Sequence, residues 1–496
     1  MLFNSLDYVL FFALVFVAYW GLVRGERASL ARPLDRDRRV QALLLRTARI
    51  VLLLVASYAF YMSWSSIFIV LVVFSTLLDY GVGLGLGRAR HPWVRRALVG
   101  VSLAGNLGLL GLFKYADFAQ VAARDVMAPL GVTLHPQLLD LVLPVGISFY
   151  TFQTLSYTID VYRRRIEPSR SLLEFATYVA FFPQLVAGPI VRAKEFLPQF
   201  TRTPQLDAGQ ASSAVYLILR GMVKKVAVAD FLAVSIIDRA FDNPGAFSSA
   251  EMWLGVYAYT WQLYGDFSGY TDIARGSARL LGFELPENFD RPFNTTGPME
   301  FWRRWHMTLS RWVMDYLYIP LGGNRGSPAR AYVNLFLAFL IIGIWHGAGW
   351  PYILFGLWHA VGVTLNRYYR HWREARGLSS APPDGGIKRV ALVMICFAYF
   401  LLQWPVFRSP SLERMGEVYG RLFAGDWLSL RASPWVFVVV AGMTFLHFCP
   451  RAWVDTAEQR LRTLPWPLMG VLVALVAALL LRVSAGQPAP FIYFQF

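Results

Sequence analysis

The chain has 496 residues, of which 56% are hydrophobic and only 16% are charged, and its formal net charge is +16. Soluble globular domains carry roughly 25% charged residues, so the composition excludes an ordinary soluble protein and predicts an integral membrane protein. The positive charge lies in short loops between apolar runs, a pattern typical of membrane topology rather than of nucleic-acid binding. We therefore expect the lipid bilayer as a partner, and no nucleic acid.

Apolar runs long enough to span a bilayer recur along the chain. They predict spanning helices at Leu6–Val23, Leu43–Met62, Ile67–Leu86, Ala97–Tyr115, Leu138–Val161, Ala211–Ile237, Met252–Leu281, Val390–Phe407, Pro434–Phe448 and Trp466–Leu481. Arg-rich stretches such as Arg24–Arg49 and Arg367–Arg376 are expected on the cytoplasmic side, which places the N-terminus outside. The first span lacks a basic n-region and a cleavage site, so we expect it to be retained.

Two further apolar segments are interrupted and carry basic residues at both ends. Leu172–Ile190 contains two prolines and a glycine, which predicts a re-entrant hairpin. Ala331–Leu365 is expected to enter the membrane from the cytoplasm and to return there. The whole chain, residues 1–496, is predicted to be one membrane domain with a catalytic core at about 140–370.

The second of these segments is broken by the run Trp345-His346-Gly347-Ala348-Gly349. An ionisable ring at membrane depth is costly and usually marks a functional site. About fifteen helical residues separate Arg330 from the break, which is roughly 22 Å at 1.5 Å per residue. Because the hydrocarbon core is roughly 30 Å thick, His346 is expected past the midplane. A neutral imidazole suits general-base catalysis of acyl transfer to an alcohol, although a histidine that only hydrogen-bonds two helices remains the alternative.

An aromatic and basic run begins at Phe301 and predicts one amphipathic helix through to Tyr318, lying at the membrane interface. Its apolar stripe includes Trp302, and Arg303 and Arg304 form a basic edge. His306 lies at the border between the two, where a site role and a role as interface anchor are equally favoured.

Two carboxylates, Asp266 and Asp272, lie six residues apart among glycines near the end of an apolar run. Their spacing is not diagnostic of glycosidase or aspartyl chemistry. A polar cavity wall, or an ion pair to Arg275 or Arg279, is favoured over catalysis.

Taken together, these motifs resemble the membrane-bound O-acyltransferase (MBOAT) family, and within it the bacterial alginate O-acetylation (AlgI) group. The residues that carry the resemblance are Pro144–Gln153, Phe181–Gln184, Gly188–Ile190, Asp266–Asp272, Asn288–Phe289, Pro292–Phe293, Phe301–His306, Trp345–Ala348 and the tail Phe491–Phe494. The resemblance implies an all-α, polytopic fold, with a ring of transmembrane helices, re-entrant segments and a central funnel or tunnel. It also implies that His346 is the principal catalytic residue and His306 a second one. The candidates for donor-site or tunnel-lining residues are Trp345, Asp266, Asp272, Trp302, Arg303, Arg304 and Asn334.

The reaction implied by the resemblance is transfer of an acetyl group from cytoplasmic acetyl-CoA, or from an acylated carrier, across the bacterial inner membrane to an exported polysaccharide. A periplasmic or extracellular acetyltransferase or acyl-carrier protein is the expected partner. D-alanyl transfer to teichoic acid and peptidoglycan O-acetylation are enzymatic alternatives, and a transporter or flippase of a polar solute is the alternative from a different class. No bound cofactor is expected, and no metal, because His346 and His359 are thirteen residues apart and would face different sides of a helix.

Overall fold

The computed structural model describes residues 1–31, 36–186, 188–383, 385–483 and 491. Every regular element in these ranges is a helix, as the sequence predicts. The tail motif beyond Phe491 lies outside the described residues. The chain divides into two compact units, Met1–Leu219 with Tyr270–Pro286 and Arg220–Gly269 with Glu287–Phe496.

The first unit is built from the N-terminal helices. They are α1 (Leu6–Leu30), α2 (Arg36–Met62), α3 (Ile69–Arg88), α4 (Pro92–Leu110), α5 (Ala116–Met127), α6 (Ile147–Tyr162), α7 (Leu172–Ala180), α8 (Phe182–Leu185), α9 (Ala193–Phe200) and the start of α10 (Ala208–Met222). A π-helical turn, Gly111–Tyr115, makes α4 and α5 continuous, and a short 3₁₀ turn follows at Ala128–Leu130.

Buried polar contacts hold the helices of this unit in register. Asp79 of α3 accepts hydrogen bonds from Asn106 of α4 at 2.6 Å and from Thr158 of α6 at 2.5 Å. Arg49 of α2 forms a buried ion pair with Glu26 of α1 at 3.1 Å. In an apolar surrounding such groups are tolerated only when they are paired, so each contact defines how two helices meet.

The second unit contains the remaining helices. They are α11 (Asp238–Asp242), α12 (Ser249–Leu280, shared with the first unit), α13 (Pro298–Trp302), α14 (Met307–Val313), α15 (Pro328–His346), α16 (Trp350–Glu374), α17 (Gly386–Arg408), α18 (Leu412–Leu422), α19 (Pro434–Phe448), α20 (Arg451–Arg462) and α21 (Trp466–Val483). Three π-helical stretches, at Val223–Asp230, Ala233–Ile237 and Met314–Tyr318, and one 3₁₀ turn, at Pro244–Ala246, join or extend them.

Helices α15 and α16 form a tightly packed hairpin. A Cβ atom added to Gly343 of α15 would collide with the backbone of Gly356 of α16, so the two helices approach as closely as glycine permits. Small residues allow this kind of close backbone contact between membrane helices. The hairpin bears out the expectation that the Trp345–Gly349 break reverses the chain.

Seven described helices are long and apolar enough to cross a membrane, and an eighth crossing results if α19 and α20, bent by 101°, count as one span. The predicted spans at Leu138–Val161, Ala211–Ile237 and Met252–Leu281 are not among them. The predicted start of the first span, Leu138, is wrong, because helix α6 begins only at Ile147. Gly146 precedes it with φ 76°, and a Cβ there would lie 2.7 Å from the Leu185 carbonyl oxygen, so this turn requires glycine.

The single amphipathic helix predicted from Phe301 to Tyr318 is also wrong. Helix α13 ends at Trp302 and α14 begins at Met307, with His306 between them in the left-handed region at φ 42° and ψ 55°. The left-handed conformation is unfavourable for a residue with a Cβ. The pattern of apolar residues in the sequence does not reveal such a break in a helix.

Candidate functional site

Four of the seven histidines are buried, and all four belong to the second unit. His346 is the last residue of α15, and the chain becomes extended at Gly347 before α16 begins at Trp350. The imidazole is therefore held at the tip of a rigid hairpin rather than on a loose loop.

His346 lines a small cavity of about 10 Å³. The other lining residues are predominantly aromatic: Leu263, Phe301, Trp302, Trp305, Phe355, His359, Phe400, Gln403, Trp404 and Phe407. They come from α12, α13, α15, α16 and α17 and from the turn after α13. Aromatic walls with a few polar groups are typical of a site that binds a small ligand.

Aromatic rings fix the orientation of the His346 imidazole. Phe355 and Phe407 each contact it edge-to-face, with ring centroids 5.2 Å and 5.4 Å away. The Trp345 ring packs against it at 4.9 Å. Such packing limits rotation of the ring and surrounds it with apolar groups.

The cavity also contains two polar residues that the sequence analysis did not select, His359 of α16 and Gln403 of α17. The prediction that His346 and His359 face different sides of one helix is wrong, because the chain reverses between them and both residues face the same cavity. The argument that singled out His346, an ionisable ring in an apolar segment, applies equally to His359.

His306 is fully buried but is not among the described residues that line this cavity. Its Nδ1 atom lies 3.2 Å from Oδ1 of Asn288, an oxygen that also accepts from the Thr308 backbone N–H at 3.1 Å and from the Thr308 hydroxyl at 2.9 Å. Because a backbone N–H can only donate, the shared atom is the amide oxygen, and Nδ1 of His306 carries the proton. In the neutral ring, Nε2 is then the basic nitrogen.

Trp345 contacts both histidines of the predicted site. Its ring centroid lies 6.4 Å from that of His306 and 4.9 Å from that of His346. Phe267 covers another side of His306 at 4.7 Å. Burial lowers the pKa of His306 to about 3, so this ring is neutral at physiological pH.

Among the remaining predicted residues, Trp302 is one of the described residues that line this cavity. Asp266 is buried and pairs with Lys225 at 2.6 Å, a partner that the sequence analysis did not name. Lys225 also contacts Asp230 at 2.7 Å.

The other predicted residues have different environments. Asp272 is buried in the first unit. Arg303 is exposed, and Arg304 forms an ion pair with Glu300 at 2.8 Å. Asn334 is buried and donates to the Gly323 carbonyl oxygen at 3.2 Å, which anchors the loop before α15. In the described part of the chain, no three His, Cys, Asp or Glu side chains are grouped so as to hold a metal ion.

Comparison with known proteins identifies the family. Residues 165–402 match the model of the membrane-bound O-acyltransferase family. A probable alginate O-acetylase AlgI of Pseudomonas putida is 38% identical over 480 residues, covering 90% of this chain and 94% of the relative. The chain belongs to the membrane-bound O-acyltransferase family. It is therefore a multi-pass membrane O-acyltransferase, as its motifs and helices predict.

Other relatives of this membrane-bound O-acyltransferase act on different polymers. A peptidoglycan O-acetyltransferase of Helicobacter pylori is 35% identical over 404 residues, which is 76% of this chain and 74% of the relative. A teichoic acid D-alanyltransferase of Streptococcus thermophilus is 28% identical over 286 residues, or 53% and 68% of the two chains.

Proposed function

We propose that this protein transfers an acetyl group from cytoplasmic acetyl-CoA, across the bacterial inner membrane, to a hydroxyl group destined for an exported polysaccharide of the alginate type. The observation that carries the proposal is His346 on the wall of a small aromatic cavity, at the tip of a rigid hairpin. The names of its relatives as O-acetylases of alginate and peptidoglycan support the acetyl group and the polymer class.

In the proposed reaction His346 is the general base. Its imidazole takes the proton of the acceptor hydroxyl while the hydroxyl oxygen forms a bond to the thioester carbonyl carbon. The carbonyl electron pair moves onto oxygen, and then the C–S bond breaks as the carbonyl re-forms. The departing thiolate takes the proton back from the imidazolium. The acceptor is an alcohol in either of two cases, a sugar hydroxyl or a serine of a periplasmic or extracellular acetyltransferase partner.

The dimensions and chemistry of the cavity favour acetyl over D-alanyl transfer. With about 10 Å³, it has room for about one water molecule, which is compatible only with a very small acyl group. A D-alanyl group would bring an ammonium into a cavity with no carboxylate among its described lining residues, and an unpaired charge is costly there. An acetyl group brings only a methyl and a carbonyl.

We further propose that the donor approaches at the basic edge formed by Arg303 and Arg304. CoA carries several phosphate charges, and clustered arginines raise the local concentration of an anionic substrate. His306, which Trp345 connects to His346 by ring contacts, is proposed as a second site residue.

The test is acetyl transfer by the purified protein in liposomes, with acetyl-labelled CoA on one side and an oligosaccharide acceptor on the other. General-base catalysis contributes about 10²–10⁴-fold, so His346→Ala should lower acetyl transfer by at least on the order of 100-fold. His135→Ala, at an exposed histidine, is the matched control and should leave the rate unchanged. Undiminished transfer by folded His346→Ala protein would refute the proposal, and solute uptake without loss of acetyl from CoA would identify a transporter.

A further inference from the structure

We infer that Gln403 and Trp302 provide the N–H groups that bind the carbonyl oxygen of a short-chain acyl thioester in the His346 cavity. This inference rests on the proposed function. It assigns two residues to stabilising the carbonyl oxygen, a step that the His346 imidazole cannot perform. Gln403 comes from α17 and Trp302 from α13, so the site is assembled from helices far apart in sequence.

Gln403 is the first part of the argument. Its side chain is fully buried and faces the cavity beside His359. His359 hydrogen-bonds the amide of Gln403, and within the described residues the amide nitrogen has no acceptor. A buried amide N–H without an acceptor is destabilising, and native proteins rarely retain one unless it has a role. A ligand carbonyl bound in the cavity would satisfy its N–H.

Trp302 provides the second, independent donor. The indole N–H can only donate, and in the described part of the chain the Nε1 atom of Trp302 has no acceptor although it is buried. The ring is held in place by edge-to-face contact with His359, at a centroid distance of 5.1 Å, and by Phe339 at 5.4 Å. Its direction is therefore set before any ligand binds.

Another tryptophan of the cavity, Trp404, does have an acceptor for its indole N–H. Trp404 also lines the cavity, but its Nε1 atom donates to the hydroxyl of Thr260 at 2.9 Å. The N–H of Trp404 thus holds α17 against α12, whereas those of Trp302 and Gln403 are not used to hold helices together.

The chemistry requires donors of this kind. When the acceptor hydroxyl adds to the thioester, the carbonyl oxygen becomes an oxyanion, and the imidazole of His346 is engaged with the hydroxyl proton. N–H groups fixed in an apolar cavity stabilise such an oxyanion far better than water does, because they need not reorient. The aromatic walls keep the local dielectric low, which strengthens each hydrogen bond.

The first test compares Gln403→Met with Gln262→Met in the liposome assay. Met has nearly the volume of Gln but no N–H, and Gln262 is a half-buried glutamine of α12 outside the cavity. Loss of one oxyanion donor lowers kcat by about 10²–10³-fold, so Gln403→Met should show this loss with little change in KM. Gln262→Met should retain wild-type kcat.

Trp302→Phe, with Trp358→Phe as control, tests the second donor. Trp358 also has a buried Nε1 atom without an acceptor in the described residues, but it does not line the cavity. We expect a fall in kcat for Trp302→Phe alone. A purely structural role would reduce the yield of folded protein while leaving kcat of the folded fraction unchanged, and that result would overturn the inference.

A spectroscopic readout separates this inference from the proposed function. Acetyl-CoA labelled with ¹³C at the carbonyl, bound to the His346→Ala protein, should show a C=O stretch shifted to lower frequency by hydrogen bonding. The shift should become smaller in the His346→Ala, Gln403→Met double variant and disappear when Trp302→Phe is added. If His346→Ala abolishes transfer but Gln403→Met changes neither kcat nor the stretch, the inference fails and the proposed function stands. If His346→Ala retains full transfer, the proposed function itself fails.

Discussion

The Oδ1 atom of Asn288 accepts a hydrogen bond from Nδ1 of His306 at 3.2 Å, and the same oxygen accepts two hydrogen bonds from Thr308. One amide oxygen thus holds both the ring of His306 and the first turn of α14. This contact stabilises a backbone conformation, φ 42°, that is unfavourable for histidine, and strained backbone of this kind is concentrated at functional sites.

Removing this acceptor should loosen the turn. Asn288→Ala deletes three hydrogen bonds, each worth about 0.5–1.5 kcal/mol, so we expect a loss of roughly 2–4 kcal/mol in the free energy of unfolding. Asn288→Asp keeps the acceptor and should retain the turn, but its carboxylate should favour the protonated His306 ring and raise its pKa. Thermal unfolding of both variants checks the first expectation. The pH profile of acetyl transfer by Asn288→Asp checks the second, and equal melting temperatures for Asn288→Ala and wild type would contradict the first.

Burial of His306 predicts how stability depends on pH. Its pKa is about 3 in the folded protein and near 6.5 in an unfolded chain, so below about pH 6.5 the unfolded state binds the extra proton. Stability should therefore be constant above this pH and fall as the pH decreases. Between pH 6.5 and 5 the His306 contribution is on the order of 2 kcal/mol.

The measurement is thermal unfolding of wild type and His306→Gln across this pH range. The variant should lose less stability on acidification than wild type, whereas His135→Gln, at an exposed position, should follow wild type. Parallel curves for wild type and His306→Gln would mean that the ring titrates normally.

The acyl group is expected to be limited in size by Phe407. This ring contacts both His346 and Phe355, with centroid distances of 5.4 Å and 4.8 Å, and it lines the cavity. Phe407→Leu should enlarge the cavity and raise kcat/KM for propionyl-CoA relative to acetyl-CoA, because the removed atoms leave space next to the His346 ring. Phe445→Leu, at an exposed position of α19, is the control. An unchanged ratio of the two rates would show that Phe407 does not select the acyl group.

The hairpin that presents His346 should be sensitive to a single methyl group. Gly343→Ala places a Cβ against the backbone of Gly356, and overpacking of this kind costs about 1–3 kcal/mol or forces the helices apart. We expect a lower melting temperature together with reduced acetyl transfer. Gly442→Ala, in α19, meets no atom within 4 Å and should be neutral in both measurements. Identical melting temperatures for the two variants would contradict the close contact.

Local features of the sequence were enough to predict the class of protein and its central residue. Apolar run lengths and loop charges predicted an all-α membrane protein, and a histidine followed by two helix-breaking glycines predicted the hairpin tip at His346. The motifs also predicted the family. These predictions succeeded because hydropathy, helix-breaking residues and motifs depend on a few neighbouring residues in the sequence.

Only the tertiary structure decided which side chains meet. His359 and Gln403 join His346 because the chain reverses after α15 and α17 then packs beside the hairpin, and no spacing in the sequence encodes that approach. The left-handed turn at His306 depends on Asn288, eighteen residues earlier, and Asp266 pairs with Lys225 on another helical segment. A sequence pattern shows which face of a helix is apolar, but helix rotation and packing determine which polar group that face brings into contact with another.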